Sequence, residues 1–201
     1  AKDLKNNVEL RQAMYEVLRF NPFICESFYS DEILLVEGPT EEIIARAYLQ
    51  EIEPEINIFV LNCGSVTNIP FYQKVFSKFS IKYNVICDTD GTDISNYDEN
   101  GNPQFEKNIQ GSISNQFHKD KAKDFPNTGL FRVHDTTFEP AHKSESIADY
   151  LKFEEKTNLG KPYNANLYWK EVLCPNITKD DINNVPIIKY IKNIIENEKR
   201  I

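Results

Sequence analysis

Between residues 32 and 87, three short apolar blocks alternate with stretches of helical spacing. Glu32–Val36 (EILLV), Ile56–Leu61 (INIFVL) and Tyr83–Cys87 (YNVIC) are near-continuous apolar runs of strand length, the pattern of strands buried on both faces. The intervening segments, about 40 to 50 and Ile69–Phe79, are spaced as helices, and each is entered through a turn. Gly38-Pro39 leads into the first, where the missing N–H of Pro39 suits a first helical turn. Asn62-Cys63-Gly64-Ser65 leads into the second. Strand, helix, strand, helix, strand in so short a span predicts an open parallel sheet with right-handed crossovers.

The flanking regions extend this plan. Leu4, Val8, Leu10, Met14, Val17 and Leu18 predict a helix over residues 3–20, ending before Asn21-Pro22, that packs on the domain or links it to a preceding one. Residues 91–104 contain Gly91, Asn96, Asn100, Gly101 and Pro103 and read as a polar loop or short hairpin. A helix near 108–123 precedes a fourth strand, Gly129–Val133. Helices are expected at Ser144–Phe153, Asn164–Leu173 and Lys179–Glu198, with Thr178 as N-cap of the last and Asp180 and Asp181 in its first turn. The expected architecture is α/β: a central, mainly parallel four-stranded sheet flanked by helices, with extra C-terminal helices. Residues 1–30 read as a linker and 31–201 as the domain proper.

Composition narrows the function classes only slightly. The 201 residues carry a formal charge of −8, which argues against a generally basic nucleic-acid coat. It leaves a phosphodiester substrate open, because carboxylates loaded with Mg²⁺ or Mn²⁺ become locally cationic. Cys25, Cys63, Cys87 and Cys174 lie far apart without a C-x-x-C pair, so neither zinc nor a disulfide framework is supported. Cys63 and Cys87 end apolar runs and read as small buried hydrophobes. No signal peptide or membrane-length apolar run is present, and a cytoplasmic location is expected. The polar helical opening without an initiator methionine suggests a piece of a longer chain.

The chemistry gathers at the strand ends. Glu37 directly abuts Ile33–Val36, where a charge is costly without a partner. Glu41 lies in the following helical turn and can point back to the same crevice, or with Glu42 simply complement the helix dipole. Asp88 and Asp90 follow the third strand; in an extended chain they share one face, a hard-cation arrangement, although Asp is also common in polar turns. Glu139, between Thr136-Thr137 and Pro140, reads equally as an ordinary loop residue. Five acids in one crevice of an α/β sheet would repel each other unless divalent metal neutralised them. His118, His134 and His142 show no ligand spacing and are expected at surface or loop positions, with His134-Asp135 near enough to contact substrate. There is no P-loop, G-x-G-x-x-G or nucleophile elbow.

Together and in this order, VEGPTEE, NCGSVTNIPFYQKVF and VICDTDGT resemble a Toprim domain, the Rossmann-like metal-binding α/β fold of topoisomerases, primases and several nucleases. Within that group the chain looks most like the C-terminal Toprim domain of the overcoming-lysogenisation-defect (OLD) nucleases, including the related Gabija defence nuclease. The second acid Glu41 in VEG-x-T-E, the run FNPFICESFYSDEILLVEG, and Glu139 with the late Gly160-Lys161-Pro162 carry that likeness over roughly residues 20–175. The resemblance implies a linker helix from a preceding ATPase domain of the same full-length chain, and a homo-oligomer formed through that ATPase. It also implies metal-dependent DNA cleavage in phage defence or DNA processing, with no membrane partner. Its metal ligands would be Glu37, Glu41, Asp88, Asp90 and Glu139, holding two Mg²⁺ or Mn²⁺ ions, with Ca²⁺ able to substitute without turnover. Lys161, placed in a short loop, would offset transition-state charge, and Lys170 is the competing candidate.

These residue types support a two-metal endonuclease in which cations about 4 Å apart clamp the scissile phosphate, a lysine offsets the added charge, and Glu37 serves as general acid or base. A Toprim ribonuclease, primase-like or topoisomerase-like nucleotidyl transfer, and a non-catalytic interaction module are the alternatives.

Overall fold

The structure, a computed structural model, describes residues 22–90, 109–123, 128–143, 149–150, 153 and 159–198. The expected helix over 3–20, the loop at 91–104 and most of Ser144–Phe153 lie outside the described residues. Four strands form one parallel sheet: β1 Glu32–Val36, β2 Ile58–Asn62, β3 Tyr83–Asp88 and β4 Phe131–His134, in the order β2-β1-β3-β4. Leu34 of β1 lies opposite Val60 on one side and Asn84 on the other, and Asp88 of β3 lies opposite His134 of β4. Placing β1 and β3 side by side at the centre brings the ends of the first and third strands together.

Helices cover both faces: α1 Pro22–Glu26, α2 Pro39–Ile52, α3 Ile69–Lys78, α4 Ile109–Lys121, α5 Phe138–Ala141, α6 Lys161–Tyr168 and α7 Pro186–Glu198. Period-two alternation along the strands explains why apolar runs without polar positions fit here. Leu34, Val36 and Ile86 face a core layer with Ile44 and Tyr48 of α2, Trp169, and Ile187, Ile188 and Ile191 of α7. Ile33, Leu35, Val85 and Cys87 face the opposite layer with Ile69 and Phe76 of α3 and Phe117 of α4. Burying each such side chain stabilises the fold by about 1.5–3 kcal/mol. Ile24 of α1 and Phe28 just after it pack into that second layer, so the segment before β1 is seated on the sheet. Cys63 and Cys87 are buried, as expected for small hydrophobes.

Several boundaries differ from the sequence reading, each for a local reason. The expected single helix Lys179–Glu198 is two elements, a 3₁₀ segment Asp180–Asn184 and then α7. Pro186 forces the break: Val185 before it is extended (φ −66°, ψ 121°), because the proline ring disfavours a helical predecessor. Lys179, not Thr178, therefore takes the N-cap position of the 3₁₀ segment. The helix expected from Asn164 begins at Lys161, with Pro162 in its first turn, and passes into a π-helical turn over Trp169–Leu173. Lys161 thus opens a helix and is not a loop residue. β4 starts two positions later than read and includes His134. At Gly129, just before it, a Cβ would collide with the Tyr83 carbonyl oxygen, so glycine permits the approach of β4 to β3.

The N-terminal end of the sheet holds a closed polar network. Glu32 forms a buried ion pair with Lys82, and Asn84 Nδ2 donates to its other oxygen at 2.7 Å. Asn84 Oδ1 accepts the Leu130 N–H at 2.8 Å. Among the described residues no helix is long and apolar enough to cross a membrane.

Candidate metal centre

The C-terminal ends of β1, β3 and β4, with the first turns of α2, α5 and α6, converge on one crevice. Glu37 is the first residue past β1, and its Oε2 accepts the Asp88 backbone N–H at 3.2 Å. Gly38 is extended and Pro39 opens α2, so Glu41 falls in the first helical turn. There its carboxyl is 3 % exposed, in a position where the positive end of the helix favours it. Asp88 ends β3; it accepts the Phe138 N–H at the start of α5, and its Oδ1 stands 3.1 Å from His134 Nδ1.

The β3–β4 ladder continues past Asp88 through Thr89, whose N–H donates to the His134 carbonyl and whose Oγ1 accepts the Thr136 N–H. Asp90 follows in the left-handed region (φ 51°) and is exposed. The extended alternation expected for Asp88 and Asp90 therefore ends at a turn. Asp90 still lies close enough to add its repulsion to Glu37 and Asp88. Glu139 Oε1 pairs with Lys161 Nζ at 3.0 Å, and its Oε2 accepts the Thr137 hydroxyl at 3.0 Å. Lys170 lies on the exposed side of the π-helical turn, and it is Lys161 that pairs with a site acid.

Electrostatics divides these groups. Burial, then neighbouring carboxylates, pushes Glu37 up to about 7 despite its bond from Asp88 N–H. The same causes raise Glu41 to about 8 and Asp88 to about 7. Burial alone would raise Glu139 as well, but the Lys161 hydrogen bond, its own N–H and the Thr137 hydroxyl bring it below its usual value. The Glu139 bond in turn raises Lys161, outweighing desolvation. Three carboxyls thus share a crevice that disfavours their ionisation, and Lys161 is engaged with the fourth.

Glu41, Asp88 and His134 each offer one ligand atom within 4.8 Å of the others. The buried, mutually repelling oxygens suit a hard divalent cation, which would satisfy the charge that burial opposes.

The histidines depart from the sequence reading. His134 and His142 are buried, at 0 % and 1 % exposure. Burial lowers both rings to about 3, so His134 is neutral beside Asp88 and Glu41 and its contacts are hydrogen-bonding geometry, not ion pairs. The sequence signal for His134 was strand alternation: in LFRVH, Phe131 and Val133 face one core layer while Leu130 faces the other, and His134 shares the Leu130 parity.

Comparison with known proteins agrees with the strand-end pattern. Residues 28–90 match the family described as "Overcoming lysogenization defect protein-like, TOPRIM domain". That segment contains β1 through β3 and four of the five acids. Two solved structures of the C-terminal region of the Xanthomonas campestris pv. campestris OLD protein, phased with iodine and with platinum, are similar to the chain. They are 17 % and 18 % identical, cover 85 % and 82 % of this chain and 82 % and 79 % of theirs, each with a TM-score of 0.40. No curated protein matched the chain. The matched segment is less than half of the chain, and over it the chain is similar to a Toprim domain of the OLD type.

Proposed function

We propose that the domain is a metal-dependent DNA endonuclease, working within a larger chain that also carries an ATPase domain. Toprim domains of this family are generally metal-binding nuclease or primase domains. The observation that carries the finer reading is the crowding of Glu37, Glu41 and Asp88, each raised toward neutrality by burial and by its neighbours. An uncompensated buried cluster of this kind costs stability in the metal-free chain, and a function that uses divalent cations accounts for its presence.

Glu41 and Asp88 would hold the cation from the crevice floor, and Glu37, Asp90 and Glu139 would surround it. Bound Mg²⁺ or Mn²⁺ supplies charge neutralisation at a phosphodiester and acidifies a bound water. Glu37, about half-buried and with its carboxyl near neutrality, can accept a proton from the attacking water at working pH. Lys161 is 63 % exposed at the mouth of the crevice, where it meets the scissile phosphate and offsets the charge that builds there. Its bond to Glu139 orients the ammonium before substrate arrives.

Asp88→Ala is expected to abolish Mg²⁺- or Mn²⁺-dependent plasmid nicking by the intact protein. Wild-type nicking in that variant would remove the basis of the proposal, and cleavage of structured RNA with DNA untouched would redirect it to a ribonuclease. The domain division at residues 30 and 31, a homo-oligomer formed through the ATPase, and a role in phage defence belong to the same reading. Analytical ultracentrifugation of the full-length protein with and without the ATPase tests the oligomer.

A further inference from the structure

Behind the acids, the His134 ring is fixed on every side the structure describes. It stacks on Tyr190 of α7, with centroids 5.5 Å apart and planes 25° apart. Phe138 and His142 meet it edge-on at 5.2 and 5.1 Å. These neighbours are themselves tied down: the Tyr190 hydroxyl donates to the Val133 carbonyl at 2.7 Å, and His142 Nε2 accepts the Ile187 N–H at 3.1 Å. One edge of the ring is thereby directed at the site, with Nδ1 3.1 Å from Asp88 Oδ1 and 3.8 Å from Glu41 Oε1. The other nitrogen, Nε2, is buried and has no hydrogen-bond partner among the described residues.

These facts decide which nitrogen carries the proton. A proton on Nε2 would leave a buried N–H unsatisfied and turn the Nδ1 lone pair toward two carboxylate oxygens. A proton on Nδ1 gives Asp88 a donor and leaves only a lone pair without a partner, the smaller cost. The same arrangement argues against His134 as a metal ligand. A histidine bound to metal through one nitrogen donates its other N–H to an acceptor, and among the described residues none is present at Nε2.

We propose that His134 is a positioning residue: an Nδ1–H donor that sets the plane of the Asp88 carboxylate, with α7 holding the donor in place through Tyr190 and, by way of His142, Ile187. The inference rests on the reading of Asp88 as a metal ligand. It adds a contact behind Asp88 that the last helix holds in place.

The test has three parts. Imidazole ¹H–¹⁵N spectra of the whole metal-free chain are expected to show His134 protonated at Nδ1; a proton on Nε2 overturns the inference whatever the protein binds. Mn²⁺ titrations at fixed pH then compare wild type with His134→Asn, whose amide N–H can stand in for Nδ1–H, and His134→Leu. The leucine variant is expected to bind Mn²⁺ about 10–100-fold more weakly, and the asparagine variant within about 3-fold of wild type. Equal affinities in all three overturn the positioning role. Pulsed EPR of Mn²⁺-loaded wild type is expected to show no directly coordinated nitrogen, and a bound ¹⁴N signal would make His134 a ligand instead. A wild-type chain that takes up no Mn²⁺ overturns the metal-centre reading and this inference with it, an outcome distinct from three equal titrations.

Discussion

Both ends of the β1–β3 pair carry a buried acid, and the protein treats the two in opposite ways. At the N-terminal end Glu32, 2 % exposed, is matched by the equally buried Lys82, with Asn84 bridging it to the backbone of Leu130. At the C-terminal end Glu41 is just as buried at 3 %, yet Glu37 and Asp88 stand beside it. Lys161, the cation that pairs with a site acid, is mostly exposed and bonded to Glu139. A charge closed by its own chain serves structure. A charge left open, in the crevice where α/β sheets bind ligands, is what a site waiting for a cation looks like.

The sharpest way to break this comparison is to open the closed end. Lys82→Met should cost about 3–5 kcal/mol in urea unfolding, because Glu32 is left buried without its counter-charge. A loss under about 1 kcal/mol would mean that the ion pair is not what holds that end.

The open end is expected to respond to pH. Glu37, Glu41 and Asp88 sit at about 7, 8 and 7 in the folded metal-free chain, above their ordinary values of 4.5, 4.5 and 3.8. Between the two sets the folded state holds more protons than the unfolded one. Stability is therefore greatest below about pH 4 as far as these groups are concerned, and falls as pH rises toward 8. Saturating Mn²⁺ should reverse that fall at pH 8, since bound metal replaces the protons. Urea curves at several pH values, with and without Mn²⁺, measure both effects, and a pH-independent stability would contradict the open-charge description.

The smallest change in stability is expected at Lys161. Lys161→Ala should alter stability by less than about 1 kcal/mol, because the lysine itself is mostly exposed, and should leave Mn²⁺ affinity intact while slowing nicking. Loss of metal binding in that variant would show that the start of α6 shapes the crevice instead of acting on substrate.

Much of this was legible in the chain because the apolar runs of β1, β2 and β3 are uninterrupted and the acids follow them directly. Strand order could not be read from local pattern, yet it is the adjacency of β1 and β3 that brings Glu37 within reach of the Asp88 N–H. Tertiary context also hid His134: alternation in LFRVH gives the face it shares with Leu130, but the ring's seat against Tyr190, more than fifty positions later, lies outside any local pattern. The break before α7 was written in Pro186, but the long apolar periodicity around it outweighed that signal. Lys161 resembles a loop residue beside Gly160, whose φ of 89° is open to glycine, although that glycine is the N-cap of a helix.

The docking of Tyr190 and Ile187 behind His134 also bears on when the proposed centre matures during synthesis. Glu37, Glu41, Asp88 and Asp90 leave the ribosome early, while Lys161 and α7 follow much later. A partly made chain therefore exposes its acids before it has the lysine to act on substrate or the helix that seats His134. If the domain is the nuclease proposed above, cleaving ability would be withheld from nascent chains until the last helix is made. Ribosome-stalled chains ending before Pro186 should show little nicking compared with chains stalled well beyond Ile201, and equal nicking by the two would show that the centre assembles without its last helix.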